Sequence, residues 1–118
     1  MSRNDEYKEI VEITNKLRKI IDDIKKHNKI IQSSIEQVSK VFNSEDEKEL
    51  TENVKNASKN VTILLGDAKK LITQMKSLNV NEMKLIQNNL PNMICDLAKE
   101  TNILKNKYIE KQIYNTNK

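Results

Sequence analysis

Cys95, His27, the pair Asp22-Asp23 and the run Glu45-Asp46-Glu47 are the groups in this 118-residue chain best suited to act as nucleophile, base, acid or metal ligand. Catalysis needs several such groups converging on one reacting atom with matched pKa values, normally in a concave pocket. With one cysteine and one histidine the chain cannot assemble a zinc set or an internal disulfide, and the single thiol fits a reducing compartment. Neither acidic group has a His, a Cys or a glycine-rich loop within helical reach. No phosphate-cradling glycine motif occurs, and no nucleophile has a base beside it. Position explains the acids: Asp22-Asp23 as a solvated face and Glu45-Asp46-Glu47 as a helix start. The sequence therefore reads as non-enzymatic, without cofactor or metal, and a binding or assembly role is left.

The elements that position these groups are legible from aliphatic spacing. Ile10, Leu17, Ile24, Ile31 and Val38 recur every seventh residue, and Ile13, Ile20, Ile21, Ile35, Val41 and Phe42 fill a second register. That is the 3.5-residue spacing of packed helices, with no Gly or Pro before position 66 to interrupt it. It predicts a first helix over about 4–42, roughly 50 Å long at 1.5 Å per residue. Ser44 with Glu47 makes a capping box, and a second helix over about 45–77 carries a seam from Leu50 through Val54, Ala57, Val61, Leu64, Ala68, Leu71 and Met75 to Leu78. Small Ala57 and Ala68 admit close approach of a neighbour, and Gly66 lies off the seam. A third helix over about 81–113 uses Met83, Ile86, Leu90, Ile94, Leu97, Thr101, Leu104 and Tyr108. Pro91 inside it predicts a kink near Asn88 or a break with Asn89 as a new cap, and the seam keeping phase across Pro91 favours the kink. Short joints between long helices give an all-α fold: one elongated, antiparallel, up-down-up three-helix bundle with left-handed twist, spanning 1–118 as a single domain. In that alignment His27 falls near Leu64 and Leu97, and Ser34 near Ala57 and Leu104. Both interrupt the first seam, as satisfied or marginal polar residues or, alternatively, as a layer that fixes register.

Composition narrows the partners. Charged residues make up 32% of the chain and the net charge is +4, with Lys, Asp and Glu alternating along each helix. This pattern reads as a solvated bundle surface. Lys69, Lys70, Lys105 and Lys107 are candidates for contact with an acidic lipid surface, whereas no basic block with interleaved aromatics supports nucleic-acid binding. No apolar run is long enough to cross a bilayer, and the charged N-terminus is unlike a signal peptide. The sequons at Asn56 and Asn60 overlap seam positions of a helix in an Asn-rich chain and read as chance.

The order of these features resembles the N-terminal Habc domain of syntaxins, the Q-type SNARE proteins of membrane fusion. The heptads from Ile10 to Phe42 precede an acidic connection, Ser44-Glu45-Asp46-Glu47-Lys48-Glu49-Leu50, as in the family's first helix. Asn56-Ala57-Ser58-Lys59-Asn60-Val61-Thr62-Ile63-Leu64 has the rhythm of its second helix. Gln87-Asn88-Asn89-Leu90 and Lys107-Tyr108-Ile109-Glu110-Lys111-Gln112-Ile113 stand in the places of its third-helix pattern. The likeness covers about residues 8–114. It departs at Met93-Ile94-Cys95, where the family has a Phe, at Lys111-Gln112 in place of Arg-Gln, and at Pro91, so the subfamily stays open.

The resemblance implies a regulatory head that controls SNARE assembly. Its partners would be a SNARE helix in cis, supplied with a membrane anchor by sequence after Lys118, and a Sec1/Munc18-type protein. It implies a place on the cytoplasmic face of an intracellular or plasma membrane. Binding would follow helix-in-groove logic. Val54, Leu65, Ile72, Leu85 and Ile103 are the candidate groove residues, being apolar positions at the edges of the second and third seams or beyond them. The fragment is expected to be monomeric. A self-associating scaffold and a peripheral membrane-binding bundle are the rival readings.

Overall fold

The computed structural model describes the backbone of residues 3–41, 43–78 and 84–116, and the side chains of 5–41, 43–78 and 88–114. Among the described residues there are three helices: α1 (Arg3–Val38), α2 (Ser44–Lys76) and α3 (Lys84–Thr116). They form an up-down-up bundle of 64 × 19 × 16 Å. The Cα radius of gyration is 18.4 Å, against roughly 13–14 Å for a compact domain of this length. The rod shape follows from helices of 33 to 36 residues joined by short turns.

α1 opens with Asp5 and Glu6 at its positive end, where carboxylates favour the helix dipole. It stops at Val38 rather than near position 42, because the chain tightens there. The Lys40 N–H donates to the Gln37 carbonyl at 3.0 Å, and Val41 N–H to the Val38 carbonyl at 3.5 Å. Phe42 lies outside the described residues. The α2 cap also sits one residue earlier than the Ser44/Glu47 box. Asn43 is extended (φ −124°, ψ 153°), and its Oδ1 accepts from the Asp46 N–H at 2.8 Å. Its Nδ2 donates to Asp46 Oδ2, also at 2.8 Å. An amide cap does what the serine was expected to do, and Ser44 becomes the first helical residue. At the other end the Ser77 N–H and Oγ turn back onto the Gln74 carbonyl. α3 runs unbroken through Pro91, which excludes the break at Asn89. Residues 79–83, including Asn81 and Met83, lie outside the described residues.

The interior is two apolar clusters with a polar layer between them. One holds Ile13, Leu17, Ile20, Ile21, Ile24, Val61, Ala68, Met75, Leu90 and Ile94. The other holds Ile31, Ile35, Val38, Leu50, Val54, Ala57, Leu104 and Tyr108. At the boundary Asn28 and Thr101 are buried, and Thr101 Oγ1 donates to Asn28 Oδ1 at 2.6 Å. Asn28 Nδ2 reaches the Leu97 carbonyl at 3.4 Å, and Thr101 Oγ1 lies 2.9 Å from the same oxygen. A buried polar layer is therefore present, but Asn28 and Thr101 build it rather than His27 and Ser34. Ser34 is buried and returns its hydroxyl proton to the Ile30 carbonyl of its own helix at 3.0 Å. His27 is half-buried at the edge of the layer, and its Nδ1 has no hydrogen-bond partner among the described residues.

Candidate functional site: the furrow between α2 and α3

α1 is the spine of the bundle: α2 and α3 each lie against it more extensively than against each other. The thin seam is the one between α2 and α3. Its register is fixed at one end by Thr51, whose Oγ1 lies 2.8 Å from the Tyr108 hydroxyl and accepts from Gln112 Nε2 at 3.2 Å. Thr51 Oγ1 also donates to the Glu47 carbonyl at 2.9 Å. A hydroxyl has one proton, so with that proton on Glu47 the Tyr108 hydroxyl is the donor to Thr51. Burial pushes the Tyr108 phenol above its ordinary pKa, and the nearby Glu47 carboxylate adds to the rise.

From this knot the antiparallel register carries Leu65 to the level of Ala98 and Ile72 to that of Pro91. Leu65, Ile72, Pro91 and Ala98 are all half-buried, as apolar residues along the edge of a thin seam are. Leu65 and Ile72 also pack on the first core cluster. Two of the five candidate groove residues thus come together. Val54 does not join them: it is 4% exposed and belongs to the second core cluster, because it lies on the central line of the α2 seam rather than its edge. Ile103 is 55% exposed, but it stands five residues from Ala98, about 140° around the helix at 3.6 residues per turn, and so faces away from α2. Leu85 lies in α3 but outside the residues whose side chains are described.

The rim of the furrow carries a feature that reading along the chain hides. On α2 Lys55, Lys69 and Lys76 stand within about 80° of the Leu65–Ile72 line, and on α3 Lys105 stands within about 20° of the Ala98–Pro91 line, at 3.6 residues per turn. Between Lys55 and Lys76 no carboxylate of α2 shares this face, whereas Glu47 and Glu52 line a depression with Thr51, Lys55 and Gln112 at its Thr51 end. The α2 acids before this stretch end at Glu52, Asp67 lies on the α1 side of its helix, and Glu100 borders a depression with Lys25 and Lys29 of α1. Charges that alternate in sequence are thus partly sorted by face. The signal was available in the sequence as a tally of charge by helical face once the α2–α3 register was known. Lys69 and Lys70 do not form one patch with Lys105 and Lys107. The register sets the two pairs roughly 17 Å apart along the axis at 1.5 Å per residue.

Among the described residues no group of three or more His, Cys, Asp or Glu is placed to hold a metal ion. None of the described helices is long and apolar enough to cross a membrane. Comparison of the chain with protein-family models, curated proteins and solved structures gave no match.

Proposed function

We propose that this chain is the N-terminal regulatory domain of a syntaxin-like SNARE, controlling SNARE assembly in vesicle fusion by taking an amphipathic helix into the furrow between α2 and α3. The observation that supports this reading is the asymmetry of the bundle. Two helices are braced on a third and meet each other along a thinner seam, edged by the half-buried Leu65 and Ile72. Such a floor gives an incoming helix apolar anchor points at one-heptad spacing, the geometry of helix-in-groove recognition. A Sec1/Munc18-type protein is the second partner in this reading, and the cytoplasmic face of a membrane is its place.

The test is titration of the chain with the Gln-centred heptad helices of SNARE proteins from the same cell, read by fluorescence anisotropy. Saturable binding is expected for at least one helix. Leu65→Asp with Ile72→Asp is expected to abolish it while the far-ultraviolet circular dichroism stays helical. Val54→Asp is the contrast: a carboxylate in the second core cluster is expected to destabilise the fold itself by about 3 kcal/mol or more. Failure of every SNARE helix to bind overturns the proposal.

A further inference from the structure

We infer that the occupant of the α2–α3 furrow is an acidic amphipathic helix, held by its apolar stripe on Leu65 and Ile72 and by its carboxylates on the lysine rim; this rests on the helix-in-groove reading above. Three observations carry it. First, the floor is apolar and half-covered while the rim is charged, which selects a ligand that is itself two-faced rather than uniformly anionic. Second, the rim is basic beyond its Thr51 end. Lys55, Lys69, Lys76 and Lys105 stand on this face, and the acids that reach it, Glu47 and Glu52, gather beside Lys55. Lysines of one sign repel one another in the unoccupied bundle, and a partner that brings carboxylates relieves that repulsion and is steered in. Third, Lys55, Lys69 and Lys76 keep multiples of seven along α2, the same repeat as the floor residues Leu65 and Ile72. A helix lying along the furrow therefore meets floor and rim in constant phase for roughly 32 Å, about three heptads. A helix with Glu or Asp flanking each core position matches that phase; one with Lys or Arg there sets like charge against like.

Cys95 provides the readout, being the chain's one cysteine, exposed and on the α3 side of the furrow. The full chain labelled there with a fluorophore is titrated with three designed helical peptides of about three heptads. They share Leu core positions and carry Glu, Gln or Lys at the flanking positions. The expected order of affinity is Glu above Gln above Lys. The Glu peptide is expected to weaken on going from about 0.1 M to about 1 M salt, where the screening length falls from ~10 to ~3 Å. Lys55→Glu with Lys69→Glu and Lys76→Glu, all exposed positions that leave the core untouched, is expected to lower affinity for the Glu peptide on the order of tenfold or more and to raise that for the Lys peptide. Equal affinity for all three peptides, each lost in Leu65→Asp, overturns the charge inference and leaves the furrow reading standing. No binding of any peptide, with Leu65→Asp silent, overturns both. A further arm uses phosphatidylserine vesicles. Vesicle binding that survives Leu65→Asp, where the Glu peptide fails to bind, makes the face a lipid contact and overturns the inference.

Discussion

Tyr108 shows how a single side chain carries more than its seam position suggests. Its ring fills the second core cluster at 1% exposure, and its hydroxyl ties α3 to Thr51 of α2. Burial raises its pKa above the ordinary 10.0, so the folded state holds the phenolic proton more tightly than the unfolded chain does. The stability this contributes is present in full below the unfolded-state pKa and is lost as pH rises through the folded one. Denaturant unfolding at neutral pH and above pH 10 is therefore expected to show a steeper alkaline loss in the native chain than in Tyr108→Phe. Lysine titration is common to both proteins and cancels in the difference. At neutral pH the Phe variant is expected to be less stable by about 0.5–1.5 kcal/mol for the missing hydrogen bond. Gly66 gives the opposite sign. It is exposed, helical and without positive φ, and a Cβ added there meets nothing within 4 Å. Gly66→Ala is expected to stabilise the bundle by up to about 1 kcal/mol, measured as a higher denaturation midpoint at unchanged slope.

At the scale of the helices, the apolar seams were legible because a packed helix must repeat aliphatic residues at its contact lines, and Ile10 to Val38 does so without a slip. The polar residues in those lines were harder to see. A helix that faces two neighbours buries a third line beside the usual two, and in α1 that line runs Thr14, Ile21, Asn28, Ile35. Its isoleucines stand out, whereas Thr14 and Asn28 vanish into an Asn-rich, polar background. Asn28 and Asn43 look like products of that bias, yet one holds the core layer and the other caps α2. The layer gives a prediction with two arms. Asn28→Ala is expected to destabilise by about 1–3 kcal/mol, since Thr101 and the Leu97 carbonyl lose their buried partner. Asn28→Leu combined with Thr101→Val removes both polar groups and fuses the two apolar clusters, and is expected to be neutral or stabilising. Thermal unfolding separates the arms. If the layer fixes register, the double variant should also lose dispersion in its heteronuclear NMR spectrum despite its stability.

For the whole molecule, the decisive property is that charge and shape are sorted onto the same side. Sequence order conceals this because Lys, Asp and Glu do alternate along each helix; only the antiparallel register, set by Thr51 with Tyr108 and Gln112, brings the lysines of α2 and α3 together. The sorting bears on the rival scaffold reading. A two-fold dimer through the furrow would pair this face with itself, as isologous contacts require, and set Lys55, Lys69, Lys76 and Lys105 against the same lysines of the other copy. The remaining exposed aliphatics do not offer a substitute. Val11, Ile30, Ile63 and Ile103 are scattered over three helices, and Ile109 with Ile113 makes only a small pair on the last turns of α3, short of the contiguous apolar area that a stable dimer buries. The expected state is therefore an elongated monomer. Sedimentation equilibrium should return 13.8 kDa at every protein concentration. Small-angle scattering should return a radius of gyration near 18.4 Å, extended slightly by side chains and hydration. High salt tests the reason as well as the outcome. If lysine repulsion alone kept the copies apart, screening it would let them pair through Leu65 and Ile72, and the mass would rise toward twice the monomer. If the narrow floor is too small to hold two copies together, the mass stays monomeric in both buffers. A floor with only Leu65 and Ile72 on its α2 side favours the second outcome, and a mass that doubles at low salt would restore the scaffold.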